Sequence, residues 1–210
     1  MNEISYTAIV LKKQPINEAD EIITFYTQDS GKVRALAKSI KLAKSKMQNW
    51  LQQFFEVRIQ LSGRSNLKTL SQVEIIKTHA SLRTDLTAIQ YALVASEIIL
   101  KFTPDNEANP ALYANILEYL EFVSGGAQLE LGLLKFKLNF LIAIGLDPVF
   151  SQELLRHPLL LRLAQQLAKT DYANLTGLKS ATGGTELQKW LSGFFAVNLE
   201  RGIKSEDFMV

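Results

Sequence analysis

Phe55-Glu56-Val57-Arg58-Ile59-Gln60-Leu61 alternates apolar and polar side chains without a break, the period of two that a half-buried β-strand requires. The expected strand spans Trp50 to Leu61, and the turn-forming Ser62-Gly63-Arg64-Ser65-Asn66 follows it. Leu67 to Ile76 then supplies another strand. Upstream, Ile4 to Leu11 is dense in β-branched and aromatic residues (Tyr6, Thr7, Ile9, Val10). Asn17-Glu18-Ala19-Asp20 interrupts it, and Glu21 to Thr27 resumes the same chemistry. Asp29-Ser30-Gly31-Lys32 turns the chain into a strand over Lys32 to Ala37. Five short strands in about eighty residues, with no crossover helix between them, exclude a parallel sheet. A small closed barrel follows, with the five-stranded OB-fold as its leading form and an unrelated small barrel or sandwich as the alternative.

Beyond His79 the period changes. Leu86, Ile89, Leu93, Val94, Ile98 and Ile99 trace one helical face, with Ser81 as the expected cap and Asp85 near the start. Asn109-Pro110 opens a second helix that ends at Ser124-Gly125-Gly126. A third begins near Gln128 and stops at Gly145-Leu146-Asp147-Pro148. A fourth is expected over Leu154 to Lys169, and Thr185 is the expected cap of a last one, Glu186 to about Gly202, after a flexible stretch at Ser180 to Gly184. The reading is a multi-domain β + α chain: a barrel over residues 1–80 and an all-α domain over residues 81–210.

Composition narrows the chemistry. The chain has 210 residues, 47% of them hydrophobic and 21% charged, as in an ordinary globular protein. It has no cysteine, which removes disulfides, thiolate metal sites and thiol catalysis together. His79 and His157 are distant in sequence and make a poor start to a metal site. No apolar run approaches the roughly 18 residues of a membrane span, and the start of the chain reads as a strand containing Glu3, so a soluble, unsecreted protein is expected. The overall charge of +2 conceals an asymmetry: residues 1–80 carry twelve Lys and Arg against seven Asp and Glu, and the rest carries eleven against fourteen. Basic charge gathered on one segment suits a polyanion partner.

That charge concentrates in Lys38-Ser39-Ile40-Lys41-Leu42-Ala43-Lys44-Ser45-Lys46, four lysines in nine residues with no acid among them. Lysines on a flexible loop can follow a phosphate backbone without one fixed geometry; a merely solvated loop is the plainer reading. Lys32, Arg34, Arg58 and Arg64 extend the path. Among the aromatic residues Tyr6, Phe25, Tyr26, Trp50, Phe54 and Phe55, most are needed inside so small a barrel, with Trp50 and Tyr26 the ones to watch as base-stacking platforms. Glu18, Asp20 and Glu21 form an acidic group of a kind that can hold magnesium through oxygen ligands, or a solvated turn. In the helical half, Lys135 and Lys137 flank Phe136, a mix suited either to receiving an acidic, hydrophobic peptide tail or to an ordinary amphipathic helix. No serine–histidine–carboxylate arrangement and no Gly-rich phosphate loop is present. The sequence therefore offers no positive sign of an enzyme or of a cofactor.

Several stretches taken in order resemble the RecO family of DNA repair proteins. Tyr6-Thr-Ala-Ile-Val-Leu-Lys12, Asn17-Glu-Ala-Asp20, Ile22-Ile-Thr-Phe-Tyr-Thr27 and Gly31-Lys-Val-Arg-Ala35 are similar to the family's opening. The basic loop falls where the family has its Lys/Arg-rich loop, and Leu67 to Glu74 resembles the strand that closes its barrel. Gly145-Leu-Asp-Pro148 matches the Gly-x-x-Pro that ends a family helix, and Leu199 to Ser205 with Phe208 resembles the family's C-terminal ending. Many members carry a four-cysteine zinc module after the Gly-x-x-Pro. Here Val149 to His157 contains no cysteine, so metal binding is not carried over.

The resemblance implies an OB-fold that binds single- and double-stranded DNA, anneals complementary strands and cooperates with RecR. It also implies contact with the acidic tail of single-strand-binding protein (SSB), so that RecA is loaded onto coated DNA, and a cytoplasmic, nucleoid-associated setting. The DNA-binding residues carried over are Lys38, Lys41, Lys44 and Lys46, with Arg34 and Arg64; Lys135 and Lys137 as tail-binding residues come from charge and setting alone. An adaptor with a structural barrel is the alternative, and a magnesium-dependent nuclease using Glu18, Asp20 and Glu21 is a third reading.

Overall fold

The structure, a computed structural model, describes residues 3–42, 45, 47–63, 67–177, 183–199 and 203. Five strands, β1 (Glu3–Pro15), β2 (Glu21–Thr27), β3 (Gly31–Ala37), β4 (Glu56–Ser62) and β5 (Lys68–Lys77), close into a barrel in the order β1-β2-β3-β5-β4. This is the OB-fold expected from the alternation. Every pairing is antiparallel except β3 with β5, which is parallel and short, Ala35 opposite Lys68 and Leu36 opposite Thr69. Ala8, Val10, Ile23, Phe25, Ala35, Val57, Ile59 and Leu61 fill the interior. β1 runs four residues beyond the expected strand because the register shifts between Val10 and Lys12, so that Leu11 is accommodated as a bulge and pairing continues to Pro15 opposite Glu21.

The segment Trp50 to Leu61 is not one strand. Met47–Trp50 is a single helical turn, α1, and the chain turns again at Phe54, where φ is +69°. There the Phe54 amide donates to the Val10 carbonyl and the Val10 amide to the Phe55 carbonyl, at 2.8 and 3.0 Å. Docking onto the β1 bulge outweighs the strand preference of the aromatic residues at this point.

The helical half contains α2 (Leu86–Phe102), α3 (Pro110–Ser124), α4 (Leu129–Ala143), α5 (Gln152–Leu155), α6 (Pro158–Lys169) and α7 (Gly184–Asn198), with 3-10 turns at Ala80–Arg83, Pro148–Phe150 and Tyr172–Gly177. Asn109 caps α3 as expected, its side-chain oxygen accepting from the Leu112 amide at 2.9 Å. α2 is capped by Asp85, whose carboxylate accepts from the Thr87 and Ala88 amides, because Ser81 lies in the preceding 3-10 turn. The helix expected over Leu154 to Lys169 is two helices, broken at His157-Pro158, where proline occupies the first turn of α6. α7 starts at Gly184 behind Gly183, at φ +103°, with no side-chain cap from Thr185. It ends at Asn198, with Leu199 as its C-cap, short of the end expected near Gly202; most of the Ser180–Gly184 stretch and most of the Leu199–Phe208 ending lie outside the described residues.

α4 is buried on nearly every side from Leu129 to Leu141, as befits a helix at the centre of a helical unit. The compact unit built on the barrel comprises Met1–His79 together with Thr103–Tyr113, and the helical unit comprises Ala80–Phe102 with Ala114–Val210. The segment 103–113, assigned to the helical part by its sequence position, thus folds with the barrel. Among the described residues, no helix is long and apolar enough to cross a membrane.

Candidate nucleic-acid interface

The lysine-rich segment leaves the barrel directly after β3, and its first half is held rather than loose. Ile40 is fully buried in the barrel core. The Ser39 amide donates to Asp20 Oδ1 at 2.7 Å, the Lys41 amide to the Ala19 carbonyl at 3.0 Å, and Lys41 Nζ to the Asn17 carbonyl at 3.1 Å. Lys38 is exposed beside this bracket. Lys44, Lys46 and, on the β4–β5 turn, Arg64 lie outside the described residues.

The acidic Asn17–Asp20 turn is the other half of the bracket. Asn17 Oδ1 accepts the Ala19 and Asp20 amides at 2.8 and 2.7 Å, and Asn17 Nδ2 donates to Asp20 Oδ2 at 3.0 Å. The Ser39 amide, then the Asn17 side chain, hold the Asp20 carboxyl below its ordinary value. Glu21 is buried, with Lys13 at 3.6 Å. The Asp20 oxygens are thus engaged in turn structure, and among the described residues no group of three or more His, Cys, Asp or Glu is placed to hold a metal ion.

Lys32 and Arg34 on β3 meet the 103–113 segment. Lys32 Nζ donates to the Thr103 carbonyl at 2.6 Å and lies 3.3 Å from Asp105 Oδ1, while Arg34 Nη2 lies 3.1 Å from Asp105 Oδ2. The Asn106 amide donates to the Lys32 carbonyl at 2.8 Å. Lys32 is mostly covered by this strap, whereas the Arg34 side chain retains 60% of its exposure. Asp105 was not legible as part of the interface, since nothing in Thr103–Asn109 distinguishes it from an ordinary interhelical linker. Arg58 pairs with Glu74 across β4 and β5 at 2.9 Å. Of the two aromatic residues watched, Trp50 is partly exposed on α1, but Tyr26 is buried at 1%. Desolvation and then the charge of Glu107 push its phenol up to about 12. Tyr26 is core, not a stacking platform.

In the helical unit, Lys135 and Lys137 are buried at 4% and 0% and do not form a surface for a peptide tail. Lys135 Nζ donates to the Leu167 and Ala168 carbonyls near the end of α6, at 3.3 and 3.4 Å, and sits 5.0 Å from the Tyr172 ring centre. Free carbonyls at a helix C-terminus attract a cation, and the aromatic face adds to that. Desolvation lowers the ammonium's pKa. Sequence spacing places both lysines on a helix but not the depth of that helix.

Comparison with known proteins covers most of the chain. The family model described as "Recombination protein O N terminal" matches residues 1–79, and "Recombination protein O C terminal" matches residues 83–158. A DNA repair protein RecO of Dehalococcoides mccartyi (strain CBDB1) is 31% identical over 141 residues, covering 67% of this chain and 56% of the relative. One of Alteromonas mediterranea is 31% identical over 153 residues (73% and 64%), and one of Geobacter metallireducens 33% over 138 residues (66% and 57%). The aligned part of the chain thus spans somewhat more than half the length of these curated relatives.

Proposed function

The chain belongs to the RecO family, and on that premise we propose that it is a non-enzymatic DNA repair and homologous-recombination mediator whose barrel binds single- and double-stranded DNA through phosphate contacts. In this reading it anneals complementary strands and, together with RecR, helps load RecA onto single-stranded DNA coated by SSB; these partners enter on family grounds. The observation that carries the DNA-binding part is the anchoring of the basic segment. Lys41 is tied to the Asn17 carbonyl, Ile40 is sunk in the core, and Lys38 stands exposed beside them. Lys44 and Lys46 follow in sequence within five residues of that anchor, so the basic run is continuous along the chain with a fixed base on an OB barrel. That suits sequence-independent binding, in which a rigid fold supplies position and lysine charge supplies phosphate contacts.

The test separates anchoring from binding. Fluorescence anisotropy of labelled single-stranded DNA against salt compares the wild type with Lys38→Ala/Lys44→Ala/Lys46→Ala, which leaves the Lys41 bracket intact. Each lost phosphate contact is expected to reduce the salt slope by about 0.7, and binding is expected to weaken equally on unrelated sequences. Equal affinity and slope for both proteins would remove the loop from the DNA path. No binding by the wild type at low salt would favour a protein-interaction adaptor with a structural barrel.

A further inference from the structure

The strap Thr103–Asn109 lies against the Lys32 end of β3. β3 meets β5 at Ala35 and Leu36, and among the described residues the Lys32–Arg34 half of that edge has no partner in β5. The strap fills the gap with a parallel bridge of Asp105 to Lys32 and the Asn106 amide on the Lys32 carbonyl. Its approach is close: a Cβ on Gly31, at φ +63°, would fall 1.8 Å from the Glu107 carbonyl oxygen. At the outer rim the Asp105 carboxylate spans two cations, Oδ1 to Lys32 Nζ at 3.3 Å and Oδ2 to Arg34 Nη2 at 3.1 Å. One oxygen on each of two cations is also how the two non-bridging oxygens of a phosphodiester are held.

We propose that Lys32 and Arg34 form a phosphodiester-binding site that Asp105 occupies as a built-in competitor, so that a nucleic-acid phosphate and the strap carboxylate exchange on Arg34. Energetics favour exchange over permanence. Asp105 and Arg34 retain 37% and 60% of their side-chain exposure, and an ion pair of that kind is weak and screened by salt. A phosphate arriving as part of a polyanion brings counterion release that the carboxylate lacks. Lys32 stays anchored throughout by the Thr103 carbonyl at 2.6 Å. Arg34 is therefore the group that changes partner, and the strap's main-chain bridge need not leave the barrel.

The inference rests on the DNA-binding reading, and its test tells the two apart. Anisotropy of a labelled oligothymidylate is measured on the full chain for wild type, Asp105→Asn, Arg34→Ala and the double variant, with thermal melts alongside. Asp105→Asn is expected to bind about three- to fivefold tighter at low salt and to steepen the salt slope by about 0.7. Arg34→Ala should stay within about twofold of the wild type, and the double variant should lose the gain. Tighter binding by Asp105→Asn over a silent wild type supports the same conclusion. A wild type that binds, with Asp105→Asn no tighter and no steeper, overturns the competitor while leaving DNA binding intact; silence in every variant overturns both. Should Asp105→Asn lose its melting transition, Asp105→Ser, which keeps a hydroxyl acceptor for Lys32, is read in its place.

Discussion

Asp20 carries little charge-to-charge stabilisation but much hydrogen bonding: the Ser39 amide at 2.7 Å and the Asn17 side chain at 3.0 Å both donate to its carboxylate. Both favour the ionised form, and the carboxyl is accordingly held below its usual range. Its contribution to stability is present above the unfolded carboxylate value, near 3.9, and is lost as pH falls through the lower folded value. Asp20→Asn is therefore expected to lower the melting temperature at neutral pH and to flatten the acid limb of the stability profile; an acid limb parallel to the wild type's would show that the bracket draws nothing from the charge. The same residue shows where sequence reading stops. The acidic residues of the turn were visible, but that the Ser39 amide points at Asp20 depends on the left-handed φ of +54° at Ser39, which no spacing rule announces. Lys135 teaches the converse, since a long ammonium side chain is compatible with burial whenever its head finds carbonyls, and the carbonyls of Leu167 and Ala168 lie more than thirty residues away.

At the scale of elements, the strap depends on one residue of the β2–β3 turn. Gly31 adopts φ +63°, and the Glu107 carbonyl occupies the volume that a Cβ would take. Gly31→Ala combines the left-handed penalty for an L side chain with backbone overlap, and is expected to cost about 3 kcal/mol. Denaturant unfolding would measure it; a loss below about 1 kcal/mol would mean that the strap shifts aside without consequence. The turn itself was legible, because Asp29-Ser30-Gly31-Lys32 is strong turn chemistry, but the reason for the glycine lay outside the turn. Strands and helices with clear periods were likewise legible: β2 has the expected bounds, and α3 begins where Asn109-Pro110 says it should. The misreadings fall where tertiary contact overrides local preference, at Phe54 turning onto the β1 bulge, or where a breaker was passed over, at Pro158. Tyr26 belongs with them: it alternates with Phe25, which lines the barrel, and the cover that buries it on the opposite face is not announced by any local pattern.

For the whole molecule, the switch of period near residue 80 marks where strands give way to helices, but the grouping of Thr103–Tyr113 with the barrel was not readable, because Asp105 meets Lys32 and Arg34 through ion pairs, and Asn106 meets Lys32 through a main-chain bond, none of which an apolar pattern announces. Both units share one electrostatic property. In the barrel unit, desolvation pushes the Tyr26 phenol up to about 12, and desolvation with Glu56 beside it raises that of Tyr113. In the helical unit, burial raises Tyr119 and Tyr172 well above the ordinary value. Tyr172 donates to Asn115 Oδ1 at 3.0 Å and Tyr119 to the Tyr91 carbonyl at 3.0 Å, so both phenols are used as donors and ionisation would forfeit those bonds. A raised folded pKa gives stability that is complete below the unfolded phenol value, near 10, and is lost as pH rises through the folded values, because the unfolded chain releases protons that the folded chain retains. The chain should therefore unfold cooperatively in alkali. Ultraviolet tyrosinate absorbance is expected to rise together with the loss of circular dichroism, and Tyr172→Phe, which cannot ionise, should move the helical unit's transition to higher pH where the lost hydrogen bond costs less than the ionisation it removes. Tyrosinate appearing gradually from pH 10 with the dichroism unchanged would mean that these phenols reach water in the folded protein, against the burial of 1% for Tyr119 and 5% for Tyr172.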